Sequence, residues 1–303
     1  MNEKQKKAYY KIDFKNNRCC YCKSKKNKKT IYNRFFIKKF FQLCVCDNCG
    51  FQYTNLIPKN KTSFIKLYKL GGVDYKTRKN VFTFIFLFFH KLRLFQLHKI
   101  NKIITKYITS KKTLLDFGTG DGYLAEYFFN RGFEVFASDI DVVRPKFLNK
   151  KIIYLRNNKL NKNKFDVIVL RHVLEHTENP LNLIEKLKIK LKKNGFFYIE
   201  IPNHDIKTNF FLKIFKQNYA QLCLPFHINH FNLKLIIKLF SKNYKIYTYK
   251  MVIPVLGKSI SNIFIEQGSN LFTFLNIIMF PIQLLINFLM SKNSAFSIIM
   301  KKK

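Results

Sequence analysis

Carboxylates are what this chain has least of. Only 17 of its 303 residues are Asp or Glu, against 56 Lys and Arg, which gives a net charge of +39. That imbalance favours polyanionic partners or anionic membrane surfaces. Tryptophan is absent, and glycine and proline number ten and seven. Together with 34 Phe and abundant Lys, Asn and Ile, this is the residue usage of A/T-rich codons, which accounts for much of the lysine load. It does not account for the missing acids, whose codons are not G/C-rich. Arginine is scarce too, at eight of the 56 basic residues. Proteins that read nucleic-acid sequence favour its bidentate fork, so the shortage argues against that class. No apolar core follows Met1-Asn-Glu-Lys-Gln-Lys-Lys7, which speaks against a secretory leader and for a cytoplasmic protein.

The few acids are concentrated. Asp116, Asp121, Glu126, Glu134, Asp139 and Asp141 fall within 26 residues. They frame Leu114-Leu-Asp-Phe-Gly-Thr-Gly-Asp-Gly-Tyr123 and Glu134-Val-Phe-Ala-Ser-Asp139. The pattern predicts a buried strand, a glycine turn, a helix and a second strand that ends in a carboxylate, the first half of a nucleotide-type α/β site. Gly118, Gly120 and Gly122 run G-x-G-x-G, not the G-x-G-x-x-G of a dinucleotide fold. Asp116 beside the turn suits a ligand carrying an ammonium, and Asp139 suits a ribose diol. The block resembles motif I of the class I S-adenosylmethionine-dependent methyltransferases. That resemblance implies S-adenosylmethionine as cofactor, with Asp139 in the ribose-binding position.

Cys19-Cys-Tyr-Cys22 and Cys46-Asp-Asn-Cys49-Gly are two C-x-x-C turns, and two such turns complete a tetrahedral zinc site. Four cysteines leave no open coordination position, so Cys19, Cys22, Cys46 and Cys49 are expected to hold a structural zinc. Cys20 and Cys44 are spare, and the Lys/Asn-rich insert at 23–29 reads as an exposed loop. The run from Cys46 to Pro58 resembles the zinc-ribbon leader of many bacterial class I methyltransferases. The expected organisation is a zinc-ribbon module over 1–60, a helical linker or cap over 61–112, and a methyltransferase domain over 113–303.

Within that domain, strands are expected near Ile152–Leu155, at Phe165–Leu170 and at Phe196–Ile201, with a helix between the last two opened by Asn179-Pro180 and closed by Lys192-Lys-Asn-Gly195. Lys245–Ile253 and Ser294–Met300 read as the last two strands. The order matches the family's "LEH", Asn-Pro and "NG" pattern and is similar to the ubiquinone-biosynthesis O-methyltransferase group. The resemblance implies an α/β fold: a mostly parallel, doubly wound sheet of seven strands whose last strand is antiparallel. It also places Arg171 and His172 beside the cofactor. The adenine loop at Arg156-Asn157-Asn158 lacks the acidic residue often seen there.

Two absences narrow the chemistry. No Asn- or Asp-Pro-Pro-aromatic motif follows the fourth strand, as base-amine methyltransferases require. No Pro-Cys or Thr-Cys follows strands four or five, as carbon-5 cytosine enzymes require for a covalent adduct. Glu175 and His176 lie instead at the carboxyl end of a strand, and Pro225-Phe-His227-Ile-Asn-His230-Phe precedes a helix. Methylation of a hydroxyl needs a group that removes its proton, and histidine titrates near neutrality. His176, His227 and His230 are the base candidates, the competing role for each being a cap or core packing. Glu175 with His176 is alternatively a divalent-ion pair, as in quinone O-methyltransferases of this type.

A run of 25 residues between Glu266 and Lys292 carries no charge. Thr273, Asn276, Gln283 and Asn287 give it a polar stripe, so residues 268–291 read as a helical insert that lies on a membrane surface or packs on protein. The expected function is methyl transfer, with oxygen favoured, to a small-molecule, sugar or lipid-linked acceptor. The rivals are an RNA methyltransferase and a non-catalytic membrane-associated scaffold.

Overall fold

The structure, a computed structural model, describes residues 12–70 except 37, 97–108 except 99, 112–140, 144–155 except 146 and 147, 160, 164–204, 222–251, 278 and 295–303. The first strands are β1 (Phe14–Asn16), β2 (Asn27–Phe36), β3 (Lys39–Cys46), β4 (Gln52–Thr54) and β5 (Leu56–Pro58), followed by helix α1 (Lys61–Leu70). Residues 97–98 and 100–105 are also helical. Then come β6 (Thr113–Phe117), α2 (Tyr123–Phe129), β7 (Glu134–Ser138), β8 (Ile153–Leu155) and β9 (Phe165–Arg171). The chain continues through α3 (Pro180–Lys190), β10 (Leu191–Pro202), β11 (Asn229–His230), α4 (Leu233–Phe240), β12 (Tyr244–Met251) and β13 (Ala295–Lys302).

Seven strands form one sheet in the order β12-β13-β10-β9-β6-β7-β8. The pairs β6–β7, β6–β9, β7–β8 and β9–β10 are parallel, and β13 is antiparallel to both β10 and β12. This is the expected α/β sheet with an antiparallel last strand. Its central strands are apolar on both faces because both faces are covered. Leu114, Val167, Val169, Phe196 and Tyr198 point to one side, where they meet Leu124, Ala125 and Phe128 of α2 together with Ile100 and Ile104. Leu115, Ile168, Leu170, Phe197 and Ile199 point to the other, where they meet Ile184 and Leu187 of α3 and Ile236 and Phe240 of α4. Burial of each such side chain stabilises the fold by about 1.5–3 kcal/mol. Asparagines open both helices of that second face. Asn179 Oδ1 accepts from Asn182 N with Pro180 in the first turn, and Asn232 Oδ1 accepts from Leu235 N.

Three local readings change. The strand expected from Phe196 begins at Leu191, which pairs with Phe165 before a bulge restores register at Phe196. Asn194 at φ 62° makes that bulge, and Gly195 packs where a Cβ would lie 3.0 Å from the Asp166 carbonyl oxygen. The insert at 23–29 is not wholly a loop, because Asn27, Lys28 and Lys29 pair with Cys46, Val45 and Cys44. The third change is β11, which the sequence does not announce. It pairs with β4 and so adds a strand from far downstream to the sheet β4-β3-β2. Cys19, Cys44, Cys46, Phe51 and Tyr53 of this smaller sheet region share the core of the α3/α4 face. The insert at 268–291 (residue 278 apart), residues 71–96 of the expected helical linker or cap and the Arg156–Asn158 loop lie outside the described residues. No helix among the described residues is long and apolar enough to cross a membrane.

Gly118 shows how tightly the sheet edge is closed. It sits at φ 80°, and a Cβ there would lie 2.4 Å from Cγ2 of Val173. Gly118→Ala is therefore expected to lower stability by roughly 1–3 kcal/mol. Adding Val173→Ala should recover part of the loss and leave the backbone cost of a left-handed alanine, about 1 kcal/mol. Denaturant midpoints check this, and a Gly118→Ala chain as stable as the parent would show that the contact is not restrictive.

Candidate functional site

The chain leaves β6 toward β7 and β8, then returns to β9 on the other side of β6. This makes the carboxyl ends of β6 and β9 a topological switch point, where open α/β sheets bind ligands. Asp116 belongs to β6 and Arg171 to β9, while Asp139 and His172 directly follow β7 and β9. The glycine turn is tied to β7: Gly118 N and Thr119 N both donate to the Ser138 carbonyl, at 2.7 and 2.9 Å, and Gly120 N donates to Asp139 Oδ2 at 2.9 Å. Asp116 is buried and accepts from Thr119 Oγ1 at 2.7 Å. Burial pushes its carboxyl up to about 6. Two carboxylates thus flank a turn whose glycines 118, 120 and 122 all have positive φ. These carboxylate acceptors fit a ligand with an ammonium at one end and a diol at the other.

Beyond the turn lies a buried charge network. Glu200, on β10, accepts from Arg171 Nε at 3.2 Å and from Tyr198 OH at 2.5 Å. His172 Nε2 lies 3.3 Å from Glu200, and His172 Nδ1 lies 3.0 Å from Glu175. Burial works against charge on His172, but the two carboxylates outweigh it and hold the ring protonated, up to about 9. Burial would likewise raise Glu200; Arg171, His172 and Tyr198 outweigh it and keep the carboxyl well below the usual range. His172 adopts φ 52°, a left-handed conformation that costs a non-glycine residue free energy. Its N–H donates to the Glu200 carbonyl, fixing the bend. Arg171 and His172, expected beside the cofactor, are thus held by carboxylates at the mouth of the switch point.

The LEH segment forms a 3-10 turn, Leu174–His176, and beside it lies a nest of histidines. The ring centroids of His176 and His227 are 4.8 Å apart, those of His204 and His227 5.6 Å, and those of His204 and His230 4.6 Å. His176 Nδ1 lies 2.8 Å from the Phe226 carbonyl, which can only accept, so Nδ1 carries the proton and Nε2 a lone pair. Burial lowers His176 and, reinforced by neighbouring imidazoles, lowers His227 much further, so both are neutral near pH 7. Glu175 Oε2 is buried with no hydrogen-bond partner among the described residues. Ligand atoms of Glu175, His176 and His227 lie within 4.8 Å of one another, which fits a cation. The structure therefore brings together Glu175, His176, His227 and His230 from two separate stretches of sequence. It adds Glu200, Tyr198 and His204, which sequence reasoning did not select. Glu200 had a readable signal, a lone acid in the apolar run Phe196–Ile201 of an acid-poor chain.

The four cysteines also converge. Sulfur atoms of Cys19 and Cys49, and of Cys22 and Cys46, lie 3.4 Å apart, and all four fall within 4.8 Å, spacing that a tetrahedral thiolate site requires. Both turns have one knuckle geometry: Lys23 N donates to Cys19 O and Gly50 N to Cys46 O, each at 2.9 Å with positive φ at the donor. Cys20 and Cys44 are buried in the apolar core instead.

The chain is similar to several known proteins. A family described as "Methyltransferase domain" matches residues 88–243, just over half of the chain. Ubiquinone biosynthesis O-methyltransferase of Vibrio cholerae is 28% identical over 133 residues, 38% of this chain and 54% of that protein. The protein of the same name from Haemophilus ducreyi is 25% identical over 151 residues, 43% and 64%. The chain thus spans between half and two thirds of the length of these curated relatives. Among solved structures, a SAM dependent methyltransferase from Archaeoglobus fulgidus has a TM-score of 0.45 at 20% identity, covering 72% of this chain and all of that one. The plantazolicin methyltransferase BpumL, solved with a monoazolic desmethylPZN analog and SAH, has a TM-score of 0.49 at 16% identity, covering 80% and 93%.

The raised Asp116 carboxyl sets a pH dependence. A cationic ammonium favours the ionised carboxylate, so affinity for S-adenosylhomocysteine is full above about 6 and is lost as the pH falls through that value, by at most tenfold per unit. Calorimetry from pH 5 to 8 checks this. Asp116→Asn should be weaker at pH 8 and flat across the range; a parent that is equally flat would overturn the assignment.

Proposed function

Because the chain belongs to the class I S-adenosylmethionine-dependent methyltransferase family, we propose that it methylates an oxygen of a small-molecule, sugar or lipid-linked acceptor. The observation that carries this reading is a neutral histidine with a fixed lone pair one turn from the glycine loop. Val173, which packs on Gly118, lies three residues before His176, whose Nδ1–H is held by the Phe226 carbonyl. Oxygen is supported further by the names of the curated relatives, which are O-methyltransferases.

Asp116 and the turn Gly118–Gly122 would hold the amino-acid end of the cofactor, and Asp139 its ribose. Bound there, S-adenosylmethionine supplies an electrophilic methyl group. What remains for the protein is to exclude water, orient the acceptor and handle one proton. His176 is neutral and can take the proton of the acceptor hydroxyl at Nε2, then release it to solvent. Glu175 and the protonated His172 keep the turn that carries His176 in place. A second reading rests on the unpartnered Glu175 Oε2: Glu175, His176 and His227 would hold a divalent ion, which would supply Lewis-acid polarisation of the acceptor hydroxyl. Cys19, Cys22, Cys46 and Cys49 would hold a structural zinc in either case.

Incubating cell extracts with methyl-labelled cofactor and following label into soluble and lipid fractions tests the activity. No label transfer to any small molecule would sink the proposal. His176→Gln should lower turnover by roughly 10²–10⁴-fold while leaving S-adenosylhomocysteine affinity unchanged. Removing weakly held divalent ions with a mild chelator, with the cysteine-bound metal content shown to be unchanged, separates the two readings: turnover persists if His176 acts as base alone, and is lost and restored by added divalent ion under the second.

A further inference from the structure

The zinc-ribbon region meets the histidine nest at Thr54. Thr54, at the end of β4, is completely buried. Its backbone N–H donates to Ile228 O at 3.0 Å, and Tyr53 and Gln52 pair with Asn229 and His230. Its hydroxyl lies 2.7 Å from the His227 carbonyl and 3.0 Å from His230 Nε2. A hydroxyl has one hydrogen, and the carbonyl can only accept it. Toward His230 the threonine oxygen must therefore act as acceptor, so His230 Nε2 carries the ring proton. Nδ1 is then a bare lone pair, buried and with no partner among the described residues.

An unsatisfied buried acceptor of this kind is costly and calls for a ligand that supplies a donor. His230 is otherwise enclosed by imidazoles: His204 stands at a right angle 4.6 Å away, and His227 lies at 6.4 Å. Burial, with His204 and His176 nearby, outweighs the His227 carbonyl, which favours the charged ring, and keeps the ring neutral, so its tautomer decides what it can bind. A donor on the acceptor, such as a hydroxyl, matches Nδ1; a bare carbonyl or ether does not.

We propose that Thr54 is a positioning residue that fixes His230 as the Nε2–H tautomer and so presents a buried Nδ1 lone pair to a hydroxyl of the acceptor. The ribbon region is on this view part of the acceptor site. The role of Nδ1 rests on the acceptor reading above, whereas the tautomer does not.

The test uses the full chain with ¹⁵N-labelled histidine at neutral pH, the His230 signals being identified by their loss in His230→Gln. Wild type should show His230 protonated at Nε2. Thr54→Val, which keeps the shape and removes the oxygen, should show a mixed or reversed tautomer with cysteine-bound metal content and S-adenosylhomocysteine affinity unchanged. Thr54→Ser should restore the Nε2–H form. Where wild type methylates a simple catechol probe, Thr54→Val should lose about 10- to 100-fold in kcat/KM, the range for partners that orient an imidazole. A wild-type His230 protonated at Nδ1, or a Thr54→Val chain with an unchanged tautomer, would overturn the proposal even if Thr54→Val folds poorly in other respects. An absence of turnover in wild type would strike the acceptor reading and leave the tautomer result standing.

Discussion

His172 lies between two buried carboxylates, 3.0 Å from Glu175 and 3.3 Å from Glu200, and most of the candidate site depends on that sharing. Glu200 is anchored on β10 and Glu175 on the turn that follows β9, so a single protonated ring fastens the ends of two strands. A positive φ lets one side chain reach both. Each carboxylate would be costly without it, because a charge far from water needs a partner and hydrogen bonds. Once the ring is held, the Leu174–His176 turn is held, and with it the His176 imidazole. The Glu175 carbonyl then accepts from Ile228 N, which fixes the loop carrying His227 and His230. Order therefore propagates from one ion cluster outward to the acceptor side.

An acid-poor chain has placed several of its few acids inside. Asp116, Glu175 and Glu200 are all buried, although the molecule as a whole carries a charge of +39. Exposed ion pairs such as Lys15–Glu178 contribute little in water, so scarcity at the surface costs the fold almost nothing. In the interior each carboxylate has a specific role, Asp116 flanking the glycine turn while Glu175 and Glu200 clamp His172.

How much of this was legible follows from where each signal resides. The glycine turn, the strand-ending carboxylates and the C-x-x-C pairs are local patterns, since each requires particular residues at fixed short spacing. The parallel strands were legible because burial on both faces demands unbroken apolar runs. The start of β10 at Leu191 was not, because Lys192, Lys193 and Asn194 look like a helix end and only pairing with Phe165 makes them strand. Thr54, His204 and β11 left no trace in sequence. A threonine in an aromatic-rich segment and a two-residue strand acquire meaning only from neighbours far along the chain. Glu200 stands between these cases, visible as an anomaly and without a partner until His172 turned toward it.

The pairing of β4 with β11 also has a kinetic side. On a nascent chain the cysteine turns and strands β2 to β4 emerge early, with local contacts that close quickly. Their sheet gains its last strand only when Asn229 and His230 have been made, after most of the central sheet has been translated. Bringing ends so distant together carries a loop-closure cost and a high contact order, which slow folding. Until then the edge of β4 exposes backbone donors and acceptors to any passing strand, the circumstance in which β edges mispair. A ribbon region completed by the acceptor loop thus matures together with the site it borders.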